Sequence, residues 1–386
     1  MSNDGWFDYF ANVHNNVYNN VHSNVMFNPF HRYFVLLFEQ TAKGYDSRFV
    51  MPYWDAAADF ADPASSVVLS DKYVGGRGDP NDDFCVKQGP QANMTVSIPN
   101  PHCLARIYNN GKKLNPWYSP EAIAHFIQIS SDMSMFRNYI EDSIHGSVHL
   151  AIAGDMLYGW AAADFVFFLH HANMDRIWSI WQGIGDHQMM MDGNGPGGRP
   201  LSLDDSLTFY QNETVRSTMR LGYGKYCYRY DDEDIDGFYK PVASNKRFSR
   251  RNADTKNSAL PKILSSRQAM VKRIHKALSP EEFAYYFPEW AKNYPHPNTG
   301  TNKSPTQNPS GINVNLSGFV DVDIDIDIDL DDIDDAVQKL ICLPILSQPK
   351  DPNAMSHMDP GSSQKLYNKA KELAELLNGK GYSTPF

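Results

Sequence analysis

Six of the thirteen histidines in this chain stand in two triplets, His14, His22 and His31 near the start and His145, His149 and His171 more than a hundred residues later. His145 and His149 are four apart, which on a helix turns both imidazoles to one face, within reach of a single metal ion. The same spacing also arises by chance on ordinary helices. No cysteine stands beside either triplet, which disfavours a structural zinc site. A zinc protease would carry its glutamate base directly after the first histidine of the pair, and here that position is Gly146. All-imidazole coordination suits copper, zinc, iron or nickel, and spacing alone goes no further.

The segments that carry these histidines read as helices. Val13, Val17, Val21 and Val25 recur every four residues, but Asn15, Asn16, Asn19, Asn20 and Asn24 between them are poor helix formers, so only the first part is expected to be helical. Asn28-Pro29 starts a second helix, with Phe34, Leu37 and Phe38 on its apolar face over about 30–42. Residues 61–118, rich in Asp, Gly, Pro and Asn, read as a long loop region. Pro120-Glu121 opens a further helix, and others are expected over 137–153 and 170–183, the last burying Ile177, Ile180 and Trp181.

After Tyr230 the character changes. Residues 231–262 are polar, 263–292 are helical in pattern, and 298–311 have the composition of a linker. From Val320 to Leu330 aliphatic residues alternate strictly with aspartates, the period of a strand with one acidic face, and a last helix is expected over 362–379. The expected fold is mainly α, with long loops and a C-terminal extension containing at least one β-strand.

The net charge of −10 excludes a general binder of nucleic acid, because the excess of acids would repel a polyanion. Nine aspartates between Asp321 and Asp335 account for most of it, so the rest of the chain is nearly neutral. No stretch of about 20 apolar residues could span a membrane. The N-terminus has no basic and apolar signal pattern. Sequons at Asn93, Asn212 and Asn315 would fit secretion. Cys85 and Cys103 flank a Gly/Pro/Asn-rich stretch that a bridge would pin, while Cys227 and Cys342 have no obvious partner.

The longest motif is His170-His171-Ala-Asn173-Met-Asp175-Arg176-Ile-Trp178-Ser-Ile-Trp181-Gln182, preceded by Asp164-Phe-Val-Phe167-Phe168-Leu. It resembles the second copper-binding signature of tyrosinases, catechol oxidases and molluscan haemocyanins. Tyr9-Phe10 before His14, then His22 and Phe30-His31-Arg32-Tyr33, are similar to the first signature, and Pro52-Tyr53-Trp54-Asp55, the Cys85 to Cys103 segment and Tyr228-Arg-Tyr230 are further marks of the family. The resemblance runs from about residue 6 to 230. It divides the chain into a catalytic core (1–230), a linker and helical extension (231–311) and an acidic strand with its tail (312–386), the last a candidate shield over the site.

The resemblance implies a helical bundle around two copper ions, one on His14, His22 and His31 and the other on His145, His149 and His171. Adjacent helical residues diverge by about 100°, so only one of His170 and His171 can face the metal; the match assigns His171 to it and His170 to the shell behind. Asn173 and Asp175 are expected to fix imidazole and helix positions, or else to be ordinary helix polar groups. Phe167 is expected to lean over the copper, or to be plain core, and Gly146 and Leu150, each following a ligand, to line the substrate entrance. Family members that hydroxylate monophenols often have Asn at the Gly146 position with an acid upstream. Here the acid is Glu141 or Asp142 and the amide is absent, so the implied activity is oxidation of o-diphenols with O₂, with weak or absent monophenol hydroxylation. A haemocyanin-like O₂ carrier is the alternative. Asn20 removes the cysteine that many fungal and plant members link to the His22 position. The chain starts shortly before His14, where the family carries further residues, and is expected either to be a processed or shortened form or to depart from the family there. His102, His125, His187, His275, His296 and His357 match no motif and are expected on the surface or in loops, and Met189–Met191 is expected to be a flexible loop run.

Overall fold

The computed structural model describes residues 1–183 and 186–230 and, beyond them, 275, 279–286, 291, 296–297, 368–369 and 371–373. Its elements are α1 (Trp6–Val21), α2 (Phe27–Lys43), the short antiparallel pair β1 (Thr95–Val96) and β2 (His102–Cys103), α3 (Pro120–Ile129), α4 (Met133–Ile140), α5 (Gly146–Ile152), α6 (Phe165–Gln182), α7 (Val215–Thr218) and α8 (Pro280–Tyr286). The mainly helical expectation holds. The acidic strand of 320–330 and the boundary at 311 lie outside the described residues.

α1 continues through Asn15, Asn16, Asn19 and Asn20 to Val21, further than their propensity suggested, and ends before Asn24. Asn15, Asn16, Asn19 and Asn20 point to the exposed side, whereas Phe7, Phe10, Val13, Val17 and Val21 are buried. Each asparagine costs about 0.5–0.7 kcal/mol of helix propensity, but each large buried apolar side chain contributes about 1.5–3 kcal/mol. Packing therefore decides the helix.

α6 is the central helix, buried on nearly every side, and α2 lies along it. It begins at Phe165, ahead of the expected 170, because Asp164 accepts the Val166 N–H at 2.9 Å as its N-cap. A helix enclosed all round should be apolar, yet this one carries His170, His171, Asn173, Asp175, Arg176 and Gln182 inside the protein. Such groups are tolerated only with partners or a bound ion.

The expected helix over 137–153 divides into α4 and α5, joined by a π-helical turn at Glu141–His145. The long loop region is held by two cross-links. Cys85 and Cys103 form the disulfide, and the fully buried Arg106 pairs with Asp164 through Nε at 2.7 Å and Nη2 at 2.8 Å. The second bond pair ties this region to the cap of α6. From the C-terminal extension, Phe283 and Leu373 are buried in the main apolar core.

Candidate metal centre

α1, α2, α5, α6 and the π turn bring both histidine triplets together, and backbone carbonyls set the proton on most of the rings. His14 donates from Nδ1 to the Gly159 carbonyl at 2.6 Å, His22 to Tyr18 at 3.0 Å and His31 to Phe27 at 2.8 Å. In the second group His145 donates from Nδ1 to Glu141 at 3.0 Å and His149 to Met156 at 2.5 Å. A carbonyl can only accept, so each contact holds the proton on Nδ1 and leaves Nε2 a lone pair. The π turn contributes directly, since the Glu141 carbonyl receives both the Gly146 N–H and the His145 ring.

Burial, with repulsion from neighbouring imidazoles, keeps these rings neutral. It lowers His14 to about 3 and His149 to about 4, and it holds His22, His31, His145, His170 and His171 well below the ordinary histidine value. Neutral imidazole is the form that binds a metal.

The donor geometry fits an ion. Nε2 of His14 and Nε2 of His31 face each other at 3.2 Å, and with both Nδ1 atoms protonated these are two opposed lone pairs, which repel. Two imidazole nitrogens about 2 Å from one tetrahedral ion stand roughly 3.3 Å apart, so a cation between them removes the conflict. The donor atoms of His14, His22 and His31 lie within 4.8 Å of one another, as do those of His145, His149 and His170.

Position 170 thus joins the second group by distance. His171 instead stacks on His31, with ring centroids 4.2 Å apart, and stands 5.1 Å from His145. Among the described residues neither ring nitrogen of His171 has a hydrogen-bond partner, and the His170 ring has at most the His145 backbone beside it. Leaving such buried groups unsatisfied costs about 1–3 kcal/mol each, which makes both rings candidates for the sixth ligand.

Two phenyl rings close the seam between the groups. Phe167 stands 4.1 Å from His171 and 4.8 Å from His14 between ring centroids, and Phe27 stands 4.7 Å from His31 and 4.8 Å from His145. Gly146 is buried at the start of α5. Leu150 packs with Ala11, Leu104, Ala153, Leu157 and Trp160 in a second apolar cluster.

Glu141 is buried and raised to about 7 by that burial. Its oxygens accept the Ser23 N–H at 2.8 and 3.1 Å, and one also pairs with Arg137 at 3.0 Å. Asp142, raised by burial as well, is 4.0 Å from Arg137. Among the described residues, the hydrogen bonds of Asn173 and Asp175 go to groups other than the imidazoles. Asn173 accepts from Arg176 at 3.1 Å, while Asp175 pairs with Arg32 and accepts from the Tyr228 and Tyr230 hydroxyls at 2.7 and 2.6 Å.

The family described as the common central domain of tyrosinase matches residues 4–184. The tyrosinase ustQ of Aspergillus flavus is 30% identical over 255 residues, covering 58% of this chain and 69% of that protein. The chain belongs to the tyrosinase family. The Streptomyces antibioticus tyrosinase is 30% identical over 207 residues, covering 49% of this chain and 71% of that protein. A mutant of the polyphenol oxidase from Thermothelomyces thermophila superposes with a TM-score of 0.47 at 22% identity, covering 58% of this chain and 78% of that one. Copper oxidase activity in general comes with the tyrosinase family, and the two histidine groups answer to its dicopper centre.

Several residues of this tyrosinase-family site were not singled out by spacing. Arg32 lies 3.8 Å over the Trp178 ring and donates to the Gln182 side chain and the Thr218 carbonyl, fastening α2 to α6 beside His31. Tyr18 stacks on His22 at 4.3 Å. The signal for Tyr18 and Phe27 was available, since each stands four residues before a candidate ligand. Of the histidines expected on the surface or in loops, His125 stands on α3, and three are shielded from solvent. His125 and His296 are 5% exposed, and the His102 side chain is 6% exposed, each having found a packed or polar partner. Met189 and Met190 pack on the core and Met191 is buried in it, unlike a flexible run.

Proposed function

We propose that this chain oxidises o-diphenols to o-quinones with O₂ and hydroxylates monophenols weakly or not at all. The observation that carries the reading is the set of Nδ1 contacts to Gly159, Tyr18, Phe27, Glu141 and Met156, which leaves neutral Nε2 donors for two ions. His14, His22 and His31 would hold one copper ion, and His145, His149 and His171 the other, with His170 behind His171. Bound copper would supply the two-electron exchange between the diphenol and O₂.

The chain's own residues supply the surroundings. Phe27 and Phe167 exclude water and offer faces to an aromatic ring. Gly146 presents no side-chain amide to steady a water that could take a monophenol's proton. Leu150, which directly follows His149, is read as bounding the entrance beside that ligand. Glu141 and Asp142 provide the acid, and because the Glu141 carboxylate is committed to Ser23 and Arg137, Asp142 is the group to receive a hydroxyl proton. The neutral imidazoles favour an uncharged phenol. Reversible O₂ carriage is supported by no observation.

The extension is proposed to cover this side of the core. Lys369 acts electrostatically on both Glu141 and Asp142, and Phe283 and Leu373 reach the main core. Limited proteolysis of the copper-loaded chain should raise its diphenol oxidation, and unchanged activity contradicts the cover.

The copper-loaded full chain, assayed on a catechol and on a monophenol, tests the activity itself. Catechol turnover far above monophenol turnover supports the reading. Comparable rates overturn the diphenol preference, and oxidation of neither overturns the function.

A further inference from the structure

The His102 ring has oxygen acceptors at both ends. Its Nδ1 lies 2.6 Å from the Asn100 carbonyl and its Nε2 lies 2.8 Å from Asp155 Oδ1. A neutral imidazole has one N–H and could serve only one of them, whereas imidazolium donates to both. Asp155 is fully buried and also accepts from Trp160 Nε1 and from the Ala105 N–H, both at 2.8 Å.

The segment that Asp155 anchors is tightly docked. Ala153 adopts φ 54°, ψ −156°, a conformation that costs a non-glycine residue about 1–3 kcal/mol and persists only where its surroundings enforce it. Gly154 has φ +60°, and a Cβ there would stand 2.1 Å from the Ala105 carbonyl oxygen. The next residues present the Met156 and Gly159 carbonyls to Nδ1 of His149 and Nδ1 of His14, one ring of each histidine group.

We propose that His102, as an imidazolium, is a positioning residue of the metal centre, acting through Asp155 on the carbonyls that aim His14 and His149. The inference rests on reading those two histidines as ligands. The disulfide carries the clamp, because His102 adjoins Cys103 on the hairpin that Cys85 closes. The charged groups facing His102 among the described residues are Asp155, from the turn after α5, and Asp8, from α1, which also binds Ser97. Arg106, from the segment that follows the hairpin, lies near Asp155 but is paired with Asp164.

Burial lowers the proton affinity of His102, and the two carboxylates with the Asn100 carbonyl more than restore it, so the ring is raised above 6.5. A base raised in the folded state contributes its full stabilisation below 6.5 and loses it as pH rises through the folded value. Metal retention should therefore weaken on the alkaline side.

The test compares the full-length protein with His102→Gln, whose amide can donate to Asp155 but neither carries charge nor titrates. Copper loss to a chelator is followed between pH 6 and 9, and the imidazole resonances are titrated in the metal-free protein. In the wild type, loss should accelerate through the His102 titration, and the Nδ1–H resonances of His14 and His149 should shift with it. In His102→Gln, loss at pH 6 should be faster by about tenfold or more and flat with pH. A merely structural role would lower the melting temperature of the variant but leave the alkaline inflection in place, which overturns the proposal. If the variant fails to fold, the wild-type resonances decide alone, and a lack of shift with His102 overturns the proposal. Failure to bind copper overturns the dicopper reading, whereas copper binding without an alkaline inflection overturns this inference only.

Discussion

The Glu141 carboxylate grips the Ser23 N–H with both oxygens, at 2.8 and 3.1 Å. Ser23 follows His22, which sits past the end of α1 without a helix around it, and the carbonyl of the same Glu141 orients His145. One residue thus braces a histidine of each group. Arg137 completes the brace from the preceding turn.

Glu141→Ala should loosen both groups at once. Removing the carboxylate leaves the Ser23 N–H without its acceptor and Arg137 with only Asp142 beside it, so we expect about 1–3 kcal/mol lower stability and about 10–100-fold weaker copper binding. Glu141→Gln keeps an acceptor for Ser23 and should lose less. Chemical denaturation and copper titration of the two variants check the order.

The sixth ligand separates by substitution. His171→Ala should leave about one copper ion per chain, while His170→Ala should retain two and bind them more weakly. Metal analysis after dialysis reads the difference, and the opposite pattern moves the ligand to His170, the residue that distance groups with His145 and His149.

The metal-free protein should be acid-labile. His14 and His149 have folded values of about 3 and about 4, below the ordinary 6.5, so as pH falls from about 6.5 the unfolded chain takes up protons that the folded one refuses. Stability therefore drops through that window, which is the sign expected when the unfolded state binds more protons. Copper should offset the loss by binding only the folded form. Melting temperatures from pH 7 to 4, with and without copper, check both halves.

Gly146→Asn should raise monophenol hydroxylation relative to diphenol oxidation, because it adds an amide next to His145 where a water could be steadied. The ratio of the two rates is the readout. An unchanged ratio removes Gly146 from the determinants of specificity.

Much of this site was legible in the sequence because it is written in spacing. His145 and His149 at i, i+4, and the signature from Asp164 to Gln182, are local patterns that a helix turns into geometry. What spacing cannot show is which distant carbonyl receives a ring N–H. Met156 and Gly159 carry no special side chain for that purpose, and His102 stands on a two-residue strand too short to show any periodicity. Asp175 lies in the histidine motif, but its partners Arg32, Tyr228 and Tyr230 come from segments far along the chain that no local pattern links to it. The length of α1 was hidden for another reason. Asparagine propensity is a local term, and burial of Val13, Val17 and Val21 against the core outweighs it.

The most direct test of the dicopper reading is metal analysis of the full chain, with catechol turnover measured on the same sample and on His149→Ala. The account expects two copper ions per chain, catechol oxidation in the wild type, and loss of both the second ion and the activity in the variant. Copper well below two per chain, or a variant that keeps its activity, contradicts it.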